Sequence, residues 1–135
     1  MQFRSTLDIV ALNQLNVLIQ LAQADHDFAD AERDMIYRIG REKNFPEERL
    51  NRLIKDPMPI GSLGALSANQ KFQYLLDCIE LTMVDNKIME SELIFCRSIA
   101  IKMGFKKSVI DFLVANFKML SPQELHQVTF RDFLA

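Results

Sequence analysis

Apolar residues recur along this chain with the spacing of α-helices, and no segment alternates with the period of a β-strand. In the first long segment the apolar side chains recur at i, i+3, i+4 and i+7, which places them on one helical face: Leu15, Leu18, Ile19 and Ala22. Such a face has to be buried against neighbouring helices. The pattern therefore predicts an all-α fold, a compact bundle of about seven helices.

Capping residues and helix breakers divide the pattern into segments. A breaker-rich stretch over 56–65 links two halves of a single domain, about 5–55 and 66–120 within 1–135. The first helix is predicted from Ser5 to about Ala24, and the sixth over 107–120. Cap patterns at Ser67 and Ser121 predict two further helix starts, and Gly104 a helix end. The segment before Gly104 is apolar nearly all round, which predicts the most enclosed helix.

An acidic stretch in the first half recurs in the second. Residues 24–32, with Asp25 and Glu32, return 60 positions later as residues 84–92, with Asp85 and Glu92. The same offset pairs apolar positions in both halves: Leu15 with Leu75, Ile19 with Ile79, Leu21 with Leu81, Ile39 with Ile99, and Phe45 with Phe105. We interpret this as an internal repeat of a helix, an acidic turn and a second helix.

The acidic residues have a structural interpretation that needs no ligand. Negative charge is favourable in the first turn of a helix, where backbone N–H groups are unpaired. With Ala29 as the N-cap, Glu32 falls at N3 and can accept a hydrogen bond from the N-cap N–H, half of a capping box. On this view the acids of both turns form turns and cap helices.

The repeated motif also resembles the tellurite-resistance TerB-like family. The resemblance rests on eight positions: Ala24, Asp25, Phe28 and Glu32, then Val84, Asp85, Ile88 and Glu92. It implies an all-helical fold in which the paired acids lie close together and bind a divalent cation, Ca²⁺ or Mg²⁺, in a stress-response context such as tellurite resistance. The implied ligands are Asp25, Glu32, Asp85 and Glu92, with Asp27 as a nearby addition.

This chain departs from the family pattern at two places. The family usually has Gly after the Asp, at a turn position with positive φ, where this chain has His26 and Asn86. Asn and His visit that region more readily than most residues. Asp27 becomes Lys87 in the second copy, which places a positive charge beside the implied cation site.

Composition and motifs exclude several functions. A net charge of −2 and a pI near 5.7 leave no basic face for nucleic acid. We find neither a signal peptide nor a spanning segment, and expect a cytoplasmic protein without membrane insertion. His26 and His126 belong to no zinc or nucleophile motif, and the glycines form no phosphate-binding loop. An EF-hand is excluded too, because its twelfth position counted from Asp25 is Ile36. We therefore expect no enzyme.

Three further expectations concern single side chains. Cys78 and Cys96 lie in apolar helical patterns, which predicts buried, reduced thiols. His126 is expected to be exposed on the last helix. Phe130 and Phe133, with Leu134, are candidates for a protein-binding surface, with core packing as their alternative.

Two hypotheses from different classes stay open. In the first, the two repeats bring their acids together around a cation. In the second, the acids only cap helices, and the domain is an interaction module whose partner is another protein. A homodimer is left open.

Overall fold

The computed structural model describes residues 6–24 and 28–135. Over these residues the chain forms seven α-helices and no strand, which confirms the predicted all-α class. The helices are α1 (Thr6–Ala22), α2 (Asp30–Glu42), α3 (Glu47–Lys55), α4 (Ala68–Met83), α5 (Glu90–Lys102), α6 (Val109–Asn116) and α7 (Pro122–Asp132).

The helices belong to two units, Met1–Gly61 and Ser62–Ala135, and the boundary between them along the chain lies inside the breaker-rich stretch. In the first unit, α1, α2 and α3 all contact one another. Gly40 allows the close approach of α3, because a Cβ there would lie 3.1 Å from Cδ2 of Leu50. The core of this unit is apolar: Leu15, Leu18, Ile19, Met35, Ile36, Ile39, Phe45, Leu50 and Leu53 are buried.

A buried amide ties the segment after α3 back to α1. Asn16 is only 2% exposed, and its Nδ2 donates to the carbonyl of Met58 at 2.9 Å while its Oδ1 accepts from the Met58 N–H at 2.9 Å. Gln20 Nε2 donates to the same carbonyl at 2.5 Å. These bonds supply partners for backbone groups that no regular element pairs, so they hold residue 58 in place.

In the second unit, α4 contacts α5 and α6, α5 contacts α6, and α6 contacts α7. Phe130 on α7 packs into an aromatic cluster, 5.4 Å from the ring of Phe105, and Phe133 stacks on Phe112 at 5.2 Å. His126 lies 4.8 Å from the ring of Phe72 and is half-buried, so the expectation that it is exposed is wrong. Phe130 and Phe133 are thus half-buried against other aromatic rings, and Leu134 is exposed.

Several helix ends follow the predicted capping. The Ser67 and Ser121 hydroxyls each accept a hydrogen bond from the N3 backbone N–H at 3.1 Å. In return, the N3 side-chain oxygen accepts from the backbone N–H of each cap, which confirms both capping boxes. Gly104 has φ +94°, as a C′ glycine does. Its N–H donates to Ile101, and the Phe105 N–H to Ala100, both at 3.0 Å. These two bonds form a Schellman motif.

The end of α2 has the same motif. Asn44 has φ +56°, its N–H donates to Arg41 at 3.1 Å, and the Phe45 N–H donates to Gly40 at 2.9 Å. The positions correspond to those at the end of α5 under the 60-residue offset. The likeness concerns these helix ends, and the repeat of the complete halves stays a hypothesis.

Two local predictions were wrong. The helix predicted over 107–120 is only Val109–Asn116, because the Asn116 side chain donates to the Phe112 carbonyl and residues after it form turns. The segment expected to be most enclosed, α5, leaves Ile94 and Ile101 each 57% exposed. No helix among the described residues is long and apolar enough to cross a membrane.

Candidate functional site

The predicted acidic site is only partly within the described structure. Asp25, His26 and Asp27 lie outside the described residues. Glu32, Asp85 and Glu92 are described, and each stands in a local arrangement at the start of a helix or in a turn.

Glu32 is buried at the start of α2. The residue is 2% exposed, and its Oε1 accepts a hydrogen bond from the backbone N–H of the N-cap, Ala29, at 3.1 Å. This bond confirms the predicted half of a capping box. The carboxylate also lies in the first helical turn, where the helix dipole favours negative charge. The helix start therefore accounts for a glutamate at this position.

The second acidic turn is a hydrogen-bonded local structure. Asp85 Oδ1 accepts from the Lys87 N–H at 3.1 Å, and Asn86 has φ +63°, the conformation expected where the TerB-like pattern has Gly. Glu92 occupies N3 of α5, as Glu32 does in α2, and is likewise 2% exposed. Turn formation and helix starts thus account for the positions of these two acids as well.

The described residues contain no group of three or more His, Cys, Asp or Glu side chains close enough to hold a metal ion. Asp25 and Asp27 lie outside that search, so the predicted cation site stays a hypothesis. The single described turn at Asp85 offers one carboxylate with a lysine two residues away, which is a poor set of ligands for a hard cation.

An open cleft of about 500 Å³ lies beside α3 in the first unit. Clefts of this volume fall within the range of known ligand sites, roughly 300–1,000 Å³. The cleft is lined by four apolar and four charged residues: Leu12, Phe45, Leu53 and Met58, then Arg49, Arg52, Lys55 and Asp56.

The charged rim of the cleft follows from the sequence of α3. Arg49, Arg52 and Lys55 recur at three-residue intervals, so they line one flank of the helix while Leu50 and Leu53 face the core. Arg52 and Lys55 also lie in the last turn, where positive charge is favourable. The guanidinium of Arg49 stands 4.6 Å above the ring of Phe45, which orients it at the cleft edge.

The apolar floor combines Leu53 of α3 with residues from three other parts of the chain. Leu12 belongs to α1, Phe45 follows α2, and Met58 follows α3 and is held there by the Asn16 amide. Three cations against one carboxylate make the rim positive in a protein whose net charge is −2. The cleft is therefore suited to a ligand that carries negative charge beside an apolar group.

The pattern of residues along the chain does not predict this cleft. The basic residues at three-residue intervals do indicate part of it, because they give α3 one positively charged flank. The apolar floor of the cleft could not be predicted from the sequence, because only folding brings Leu12 and Met58 to that flank.

Comparisons with models of protein families, with curated proteins and with solved structures find no match to this chain. The likeness to the TerB-like family consequently rests on the eight motif positions alone.

Proposed function

We propose that this protein is a non-enzymatic interaction module that binds an acidic, partly apolar segment of a partner protein in the cleft of its first unit. The observation that carries the proposal is the cleft itself, an apolar floor bordered by Arg49, Arg52 and Lys55. The acids of the two turns have structural roles in this proposal.

The positively charged rim of the cleft favours binding of carboxylates carried by a helical segment of the partner. Arginine guanidinium groups bind carboxylates through two parallel hydrogen bonds, and lysine adds a point charge. An amphipathic helix presents apolar anchors with acidic residues flanking them, and helix-in-groove docking uses that arrangement. The apolar side chains of such a segment would contact Leu12, Leu53 and Met58, while its carboxylates would face the α3 flank.

The test uses a synthetic amphipathic peptide of leucine and glutamate carrying a fluorophore, with fluorescence anisotropy as the readout. A peptide with lysine at every glutamate position serves as the matched ligand control. We expect the acidic peptide to bind, its affinity to fall with added salt, and the lysine peptide to show no saturable binding.

The protein variant for this test is Arg52→Glu with Lys55→Glu. Reversing two rim charges should weaken binding roughly tenfold or more, the equivalent of about 1.4 kcal/mol. Lys107→Glu with Lys118→Glu makes the same change in net charge at exposed positions of the second unit. If both double variants weaken binding equally, net charge rather than the cleft attracts the peptide, and the proposal fails.

A second proposal keeps the TerB-like interpretation, in which the protein binds a divalent cation, Ca²⁺ or Mg²⁺, and acts in a stress response such as tellurite resistance. The observation in its favour is the burial of two glutamates at the same place, N3 of α2 and of α5, each 2% exposed. A buried carboxylate of this kind supplies an oxygen ligand that a cation site also containing the aspartate of the same turn, Asp25 or Asp85, would use.

The cation proposal is tested by thermal melts of EDTA-treated protein with and without millimolar Ca²⁺ or Mg²⁺. A cation at about 100 times its dissociation constant would stabilise the folded protein by about 2.7 kcal/mol. We expect this gain to disappear in Asp25→Asn with Asp85→Asn, and to persist in the control Asp30→Asn, which changes an exposed acid of α2. If neither Ca²⁺ nor Mg²⁺ raises the melting midpoint, the proposal is refuted.

A further inference from the structure

The two cysteines of the chain lie against each other in the core of the second unit. Cys78 is on α4 and Cys96 on α5, with 1% and 0% of their surfaces exposed, as the pattern predicted for buried thiols. The two helices pack together, and each cysteine side chain shifts the pKa of the other. This pairing is invisible in the sequence, where the cysteines have no motif spacing.

A threonine completes the arrangement. The Thr82 hydroxyl donates to the Cys78 carbonyl at 2.9 Å, and its Oγ1 lies 3.7 Å from Sγ of Cys96. Either the Thr82 hydroxyl or the Cys96 thiol can donate in this second contact. Thr82 stands one helical turn after Cys78 on α4, so its contact with Cys96 places both cysteines at the same point of the packing between α4 and α5.

The two thiols differ in acidity. The hydrogen bond from Cys78 lowers the pKa of Cys96 against the opposing effect of burial, and the Thr82 hydroxyl and the charge of Arg97 lower it further. The same bond raises the pKa of Cys78, together with burial. The first thiolate of the pair consequently forms at Cys96, and the thiolate is the nucleophilic form of cysteine.

We propose that Cys78 and Cys96 are a dithiol site that a hydroperoxide oxidises to a reversible disulfide between α4 and α5. The sulfur of Cys96 attacks one peroxide oxygen, the O–O bond breaks, and a sulfenic acid forms as water leaves in the case of hydrogen peroxide. The sulfur of Cys78 then attacks that of Cys96, the S–S bond forms, and the hydroxyl leaves with the Cys78 proton as a second water. Two thiols are oxidised and one peroxide is reduced to two waters.

Burial sets the rate of this reaction rather than its products. Neither sulfur is accessible in the closed structure, so a small oxidant reaches the pair only when α4 and α5 separate locally. The neighbouring sulfur intercepts the sulfenic acid before a second peroxide arrives. We therefore expect slow oxidation that stops at the disulfide.

The experiment treats the folded full chain with millimolar hydrogen peroxide and follows free thiols, by titration after denaturation, together with the intact mass. We expect both thiols to disappear together, with a mass loss of two hydrogen atoms, no dimer, and full recovery with dithiothreitol. Peptide mapping should find residues 78 and 96 in one cross-linked fragment.

Cys78→Ala and Cys96→Ala provide the controls, with circular dichroism to verify folding. Each retains one thiol, and neither should lose mass under the same treatment. Native protein that keeps both thiols, or gains oxygen atoms on one cysteine, would overturn the proposal, as would disulfide-linked dimers. Should either variant fail to fold, wild-type protein carries the test alone, because thiol loss and the cross-linked fragment are both measured on it.

Discussion

Replacing Glu32 distinguishes the capping function of this acid from a role as a cation ligand. Its Oε1 accepts from the Ala29 N–H at 3.1 Å, and the residue is 2% exposed. Glu32→Ala removes this acceptor, so the Ala29 N–H loses its hydrogen bond to the side chain. Glu32→Gln keeps an oxygen acceptor of the same reach and removes only the charge.

The magnitudes follow from these two losses. A hydrogen bond to a charged group contributes about 1.5–3 kcal/mol, so Glu32→Ala should lower the free energy of unfolding by about 2 kcal/mol. The charge near the start of α2 is worth about 0.3–1 kcal/mol, which sets the cost of Glu32→Gln. In a chain of this size the alanine variant should melt roughly 6–10 °C lower.

Thermal melts followed by circular dichroism, in EDTA, measure both variants. Glu42→Ala is the matched control, because it removes a glutamate from the other end of α2, where the side chain is 60% exposed and pairs with Arg38 at 3.1 Å. That pair should contribute less than about 0.5 kcal/mol. A difference of about 1 °C corresponds to roughly a few tenths of a kcal/mol. If the melting temperature of Glu32→Ala lies that close to wild type, the capping argument is refuted. Equal losses in the alanine and glutamine variants would show that the charge of Glu32, rather than its oxygen acceptor, stabilises the helix start.

Three further predictions concern the second unit. Thr129 has a fully buried hydroxyl with no hydrogen-bond partner among the described residues, so Thr129→Val should raise the free energy of unfolding by about 1 kcal/mol in urea titration. Gly104→Ala should lower it by about 1–2 kcal/mol, because φ is +94° while the added Cβ meets no atom within 4 Å; the exposed Gly61→Ala is its control and should leave it nearly unchanged. Burial raises the pKa of Tyr74, so the neutral phenol stabilises the fold below about pH 10 and that contribution is lost as pH rises further. Urea titrations from about pH 9 to 11 should show a flatter decline for Tyr74→Phe, and a parallel decline would contradict this account.

The candidate sites were predictable to different degrees for a physical reason. Glu32 and its hydrogen bond to residue 29 could be read from the chain, because donor and acceptor are three residues apart on one helical turn. The cleft could be read only along α3. Its floor requires Leu12 and Met58, whose positions depend on how α1 packs and on a long-range bond from Asn16 to residue 58.

The sequence by itself determined the helical class, the caps at Ser67 and Ser121 and the helix end at Gly104. Each of these depends on contacts between residues a few positions apart, which the order of the chain specifies directly. Only the tertiary structure placed His126 among phenylalanines, left Ile94 and Ile101 exposed, and brought Cys96 to the turn of α4 that carries Cys78. Those outcomes depend on which helix covers which face, and apolar periodicity states that a face is buried without stating what buries it.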